Sequence, residues 1–171
     1  KIAAVLKDDY NLQPGNRVLL RGPNNPMMAA CWFGILKAGL IVVTTMPMLR
    51  AKELDEIINK AEISLAITDI RLLEELSLCQ NKSKKLKTVI TFGEEGTLNG
   101  SMEKKDGNFQ NHATYAHDPA LLAFTSGTTG SPKACIHFHR DILAMADTFS
   151  RYILKSQSDE IFAGSPPIAF T

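Results

Sequence analysis

Apolar positions along the chain fall into two kinds of spacing, and the switches between them mark strands and helices in turn. The stretch 17–20 reads as a short strand, and 26–37 as a helix with Asn25 placed to cap its start and Gly39 just past its end. The β-branched run at 40–45 predicts a second strand. Leu54, Ile57, Ile58 and Ala61 recur at helical spacing within 50–61. A strand at 64–68, a short helix at 71–79 and a strand at 86–92 follow. The segment 93–117, rich in Gly, Asn and charge, predicts a long surface connection. Beyond it the apolar run 120–124 reads as a buried strand, 134–138 as another, 141–154 as a helix and 161–164 as a last strand.

Strands that alternate with helices imply an α/β layered architecture: a mostly parallel sheet flanked by helices. The two strands on either side of 125–133 are close enough for a hairpin, so a mixed or antiparallel portion is expected there. This divides the chain into a first α/β portion at 1–92, the connection at 93–117, and a portion built around that short loop at 118–171. No internal repeat is visible.

The 171 residues are 44% hydrophobic and 22% charged, which excludes a disordered chain and a membrane-spanning one. Folded at this size, the chain buries roughly 70% of its unfolded surface. The longest apolar candidate, 27–43, is broken by Gly34, Lys37 and Gly39 and falls short of the roughly 20 residues a spanning helix needs. A formal net charge of +1 argues against a dedicated nucleic-acid binder. Lys82, Lys84, Lys85 and Lys87 form the one basic cluster; without interleaved aromatics it reads as a solvated loop or helix end. Cys31, Cys79 and Cys135 are odd in number and widely separated, which predicts reduced thiols and a cytoplasmic setting. His137 and His139 share one side of a strand, but no third and fourth ligand stands at a suitable spacing, so no metal site is expected. Trp32, Met27, Met28, Met46 and Met48 read as core filler. Lys1 is not an initiator methionine and no signal pattern follows it, and Thr171 comes straight after an apolar stretch. Both ends read as cut from something longer.

The densest chemistry lies at 125–133, Thr-Ser-Gly-Thr-Thr-Gly-Ser-Pro-Lys. Thr125, Ser126, Thr128 and Thr129 offer hydroxyls, Gly127 and Gly130 let backbone N–H groups approach a ligand, and Lys133 adds a compact positive charge. That inventory suits a phosphate chain, since concave sets of N–H groups bind anions. The composition also fits a flexible Ser/Thr/Gly linker, though a linker is not normally clamped between two buried strands. It is not a Walker A loop, because Gly130 follows Gly127 by three and Lys133 precedes Ala134, and no G-x-G-x-x-G pattern is present. Since the loop runs into a strand, helix-dipole assistance is not evident, and the hydroxyls and Lys133 must carry more of the recognition.

At these residues the chain resembles a known family. Leu122-Ala123-Phe124 followed by 125–133 looks like the AMP-binding signature of the adenylate-forming enzymes, which include acyl- and aryl-CoA ligases, luciferases and the adenylation domains of peptide synthetases. Ala134 departs from it, standing where the family commonly has glycine. Leu12-Gln13-Pro14-Gly15-Asn16-Arg17-Val18 is similar to the opening of the family's first large domain. Asn24-Asn25-Pro26 through Leu36-Lys37-Ala38-Gly39 is similar to its next helix. His137-Phe138-His139-Arg140-Asp141, and later Phe162-Ala163-Gly164-Ser165-Pro166-Pro167-Ile168-Ala169-Phe170, most resemble the benzoate- and 2-aminobenzoate-CoA ligase branch.

The resemblance implies part of a larger N-terminal domain and an ATP-dependent reaction. The acid attacks the α-phosphate of ATP, pyrophosphate leaves, and the acyl-adenylate passes to a thiol, usually that of coenzyme A. The loop would orient the β- and γ-phosphates, and Mg²⁺ would join phosphate oxygens, although no carboxylate ligand for it is evident. The expected partners are ATP and an aromatic carboxylic acid, and the rest of the chain is expected to carry the catalytic residues. Matched to the benzoate branch, Phe170 and Thr171 fall where the ring of the acid is accommodated; they equally suit packing against the sheet. A fatty or amino acid on the same scaffold, and a non-catalytic nucleotide-binding module, stand as the alternatives.

Overall fold

The computed structural model describes residues 1–125, 132–164 and 166–169. Within it six strands form one sheet: β1 (Arg17–Arg21), β2 (Ile41–Thr45), β3 (Leu65–Asp69), β4 (Thr88–Phe92), β5 (Pro119–Thr125) and β6 (Lys133–Phe138). Their order across the sheet is β4-β3-β1-β2-β5-β6. Every neighbouring pair is parallel except the last, in which β6 runs antiparallel to β5. This is the mostly parallel sheet with an antiparallel portion at the loop that the sequence predicts.

Helices cover both faces, which is why the strands read as nearly continuous apolar runs. In β1, Val18 and Leu20 join Met28, Cys31 and Ile35 of α2 (Pro26–Lys37) in one apolar layer. Leu19 points to the other layer, with Leu54, Ile57 and Ile58 of α3 (Ala51–Lys60). β3 repeats the division, with Leu65 and Ile67 on the first side and Ala66 on the second. The N-terminal turn Ile2–Ala4 packs with the first layer, and Leu76 and Cys79 of the helix Leu73–Lys82 with the second.

The start and end of α2 follow the expected chemistry. Asn25 accepts a hydrogen bond from the Met28 N–H at 2.8 Å, and Pro26 opens the helix where a missing N–H costs nothing. Gly39 takes a φ of +75°, and its N–H reaches the Leu36 carbonyl at 2.9 Å. A side chain at Gly39 would collide with the ring of His112, whose backbone N–H donates to the Lys37 carbonyl at 3.0 Å.

Four expectations require correction. The connection at 93–117 holds a helix, Thr97–Glu103, with Leu98 fully buried. It is fastened by reciprocal bonds between Thr91 and Thr97, each backbone N–H reaching the other's hydroxyl at 3.1 Å, which no periodicity reveals. The segment 161–164 is not a strand: it has no neighbouring strand among the described residues, and Ile161 is 96% exposed. Met48 is exposed, not core, because it lies on the turn after β2; Met28 is buried, and Met27 and Trp32 pack against the first layer. The helix expected at 141–154 starts earlier, as α-helix His139–Thr148, and continues as a wider-turned segment, Phe149–Leu154. Asp141 fixes its start by accepting from the Phe138 N–H at 2.9 Å.

Candidate functional site

β5 is placed by its register on β2, Val42 opposite Leu121 and Thr44 opposite Ala123. Its side chains alternate, Leu121 into one apolar layer and Leu122 and Phe124 toward the other. A strand held on both faces projects its end at a fixed point, and that end is Thr125. β6 returns along it with Leu122 opposite Ile136, Phe124 opposite Ala134 and Thr125 opposite Lys133. Thr125 and Lys133 are therefore the last pair of the hairpin, and both are exposed. Of the other candidate ligands, Ser126, Gly127, Thr128, Thr129 and Gly130 lie outside the described residues, as do the candidate substrate contacts Phe170 and Thr171. The Pro132 carbonyl, one residue before β6, accepts from Lys60 Nζ at 2.7 Å.

The hairpin carries one cation at its mouth. Among the described residues Lys133 makes no ion pair, so its ammonium is available to an incoming anion. A concavity of about 650 Å³ lies beyond the ends of β3 and β4, lined by Asn25, Asp69, Arg71, Phe92 and Asn99 among others. Two of its charged residues pair with each other, Arg71 Nε and Nη2 each donating to the Asp69 carboxylate at 2.8 Å, and Glu94 adds a second carboxylate to the lining. The Arg71 guanidinium holds that carboxyl below the usual carboxylate range, against the opposing effect of burial. β1 and β2 separate this concavity from β5 in the sheet.

His137 pairs with Leu121 across the hairpin, and the backbone N–H of His139 donates to the Asp118 carbonyl at 3.1 Å. Both thus sit at the junction of β6 and its following helix. Among the described residues no group of three or more His, Cys, Asp or Glu side chains is placed to hold a metal ion. Nor is any helix among them long and apolar enough to cross a membrane.

Asn24 has a role that no local pattern announced. Its carboxamide bonds the backbone of 166–168, a contact between positions 142 and 144 residues apart.

Comparison with known proteins agrees with this fold. The family model described as "AMP-binding enzyme" matches residues 1–171. The chain belongs to the AMP-binding enzyme family. It is 31% identical over 169 residues to an uncharacterized acyl–CoA ligase, YtcI, of Bacillus subtilis (strain 168), covering 98% of this chain and 32% of that protein. It is 28% identical over 160 residues to the crotonobetaine/carnitine–CoA ligase of Salmonella enteritidis PT4 (strain P125109), covering 88% of this chain and 31% of that protein. Among solved structures, the anthranilate CoA ligase AuaEII in complex with anthranoyl-AMP superposes with a TM-score of 0.82 at 21% identity. That match covers 88% of this chain and 29% of that one, and it shows the shared fold. The chain spans about a third of the length of the curated relatives it matches.

Proposed function

We propose that this chain is the phosphate-loop portion of an ATP-dependent, AMP-forming acid–CoA ligase whose acid is aromatic, of the benzoate or 2-aminobenzoate type. The observation that carries the reading is the hairpin β5–β6. It sets Thr125 and Lys133 side by side at the two mouths of the segment 126–132. In this account Thr125, Ser126, Thr128 and Thr129 supply hydroxyl donors, and Gly127 and Gly130 let the backbone close on the phosphates. Lys133 neutralises charge on the departing pyrophosphate, while the rigid strands keep the α-phosphate in line with the attacking carboxylate. Coenzyme A then accepts the acyl group through its thiol.

Mg²⁺ would enter, on this reading, with the nucleotide's own phosphate oxygens. Phe170 and Thr171 are assigned to the acid's ring, in keeping with the uncharged stretch 166–171 that ends the chain. The free thiols of Cys31, Cys79 and Cys135 accord with a reducing, cytoplasmic setting.

A second reading has a specific observation behind it. The relatives named for an unspecified acyl group and for carnitine favour a different acid on the same scaffold. Acid-dependent ATP–pyrophosphate exchange by the full-length enzyme, run with benzoate, 2-aminobenzoate, hexanoate and long-chain acids, separates the two. Preference for the two aryl acids supports the proposal. Preference for long-chain acids removes the aryl assignment and leaves adenylation standing, and no exchange with any acid removes the ligase reading.

A further inference from the structure

Asn24 sits three residues beyond β1, on the surface, yet its side chain grips a distant stretch of backbone at two points. Nδ2 donates to the Pro166 carbonyl at 2.9 Å, and Oδ1 accepts from the Ile168 N–H at 2.6 Å. A carbonyl and an N–H two residues apart are the pair that one residue of a parallel neighbouring strand engages. A carboxamide reproduces that residue because it carries a donor and an acceptor side by side. Pro166 and Pro167 lack N–H groups and have fixed φ, so the Ile168 N–H is the one backbone donor within 166–168, and Asn24 takes it.

The next residue is held differently. Ala169 is buried in the apolar layer that also contains Val18 and Leu20 of β1. Hydrogen bonds at 166–168 and packing at 169 thus fix this apolar stretch against the part of the chain that follows β1. The carboxyl ends of parallel strands are where open α/β sheets collect their ligands.

We propose that Asn24 is a positioning residue for the carboxylic acid: by fixing the backbone of 166–169 it sets where the apolar wall of the acid pocket begins. This rests on the ligase reading above. Asn24 contacts no reacting atom; its effect passes through the backbone it holds. The nucleotide loop, 125–133, is a separate segment of the sequence, so on this proposal the acid and ATP respond differently to the loss of Asn24.

The test uses the full-length enzyme and its Asn24→Ala and Asn24→Asp variants. Pyrophosphate exchange is followed with the preferred acid varied at saturating ATP, then with ATP varied at saturating acid. Thermal unfolding and hydrogen exchange at the Ile168 amide are measured alongside. Asn24→Ala is expected to raise KM for the acid about tenfold and leave KM for ATP within about twofold. Ile168 should exchange faster, and the unfolding temperature should hold, because an exposed side chain contributes nothing to the core. Asn24→Asp should also raise the acid KM, since a carboxylate accepts from Ile168 but has no proton for the Pro166 carbonyl. An unchanged acid KM in either variant overturns the proposal, as does a rise in both KM values together with lost thermal stability. An inactive wild-type enzyme would bring down the ligase reading and this role with it, whereas an active one with unaltered variants brings down the role alone.

Discussion

Arg21 donates from Nη2 to the Leu49 carbonyl at 2.8 Å while only 1% of the residue is exposed. The same nitrogen reaches the Pro47 carbonyl at 2.7 Å, and Nη1 reaches Leu72 at 2.9 Å. Burial pulls the guanidinium below its ordinary value, with Glu75 acting in the opposite direction. One cation at the end of β1 thus ties down the turn after β2 and the turn after β3. Arg21→Met keeps much of the volume but strands three carbonyls, so a loss of about 3 kcal/mol is expected. Urea unfolding checks this, and an unchanged midpoint would contradict it.

Asp69 ends β3 and accepts from the Arg71 N–H at 3.0 Å as well as from its guanidinium. The Arg71 hydrogen bond holds the carboxyl below its usual range, so the folded state favours the ionised form. The stabilisation is therefore present above the unfolded carboxylate value of about 4 and is lost as pH falls through the lower folded value. Asp69→Asn should cost about 1 kcal/mol near pH 7, because asparagine still caps but loses the charge paired with Arg71, and should flatten the loss of stability below about pH 5. Parallel acid-unfolding curves for the two proteins would argue against the pairing.

Much of this arrangement was legible in the sequence, for physical reasons. Strands buried on both faces announce themselves as short apolar blocks, and Asn25, Pro26 and Gly39 mark α2 through their own local bonds. The hairpin was legible because two strand patterns flank a loop too short for a crossover. What escaped depends on distant partners. Thr97–Glu103 is a helix on the strength of Leu98 and the Thr91–Thr97 exchange, which tie it to an apolar layer and to β4 and leave no periodic mark. The stretch 161–164 has strand composition but no neighbouring strand among the described residues. The Asn24 clamp and the burial of Arg21 join residues far apart in the chain, beyond the reach of any periodicity.

The three thiols should separate cleanly by reactivity. Burial pushes Cys31 up to about 12 and Cys79 up to about 11, and the Cys79 thiol also donates to the Ala51 carbonyl at 3.2 Å. Cys135 is exposed on β6. A thiol-specific chromogenic reagent at pH 7.5 should therefore react quickly with Cys135 alone in the folded protein, and with all three after denaturation. Rapid reaction of Cys31 under native conditions would contradict the packing of α2.

The pyrophosphate-exchange rate of a full-length Lys133→Ala enzyme tests the central claim, that the β5–β6 hairpin presents the phosphate-binding loop. Lys133 is exposed and makes no ion pair among the described residues, so its truncation should leave the melting temperature unchanged. Exchange should fall by about a hundredfold, the usual effect of removing one charge-stabilising group from a phosphoryl-transfer site. An exchange rate within about twofold of wild type, in an enzyme that melts normally, would contradict the assignment.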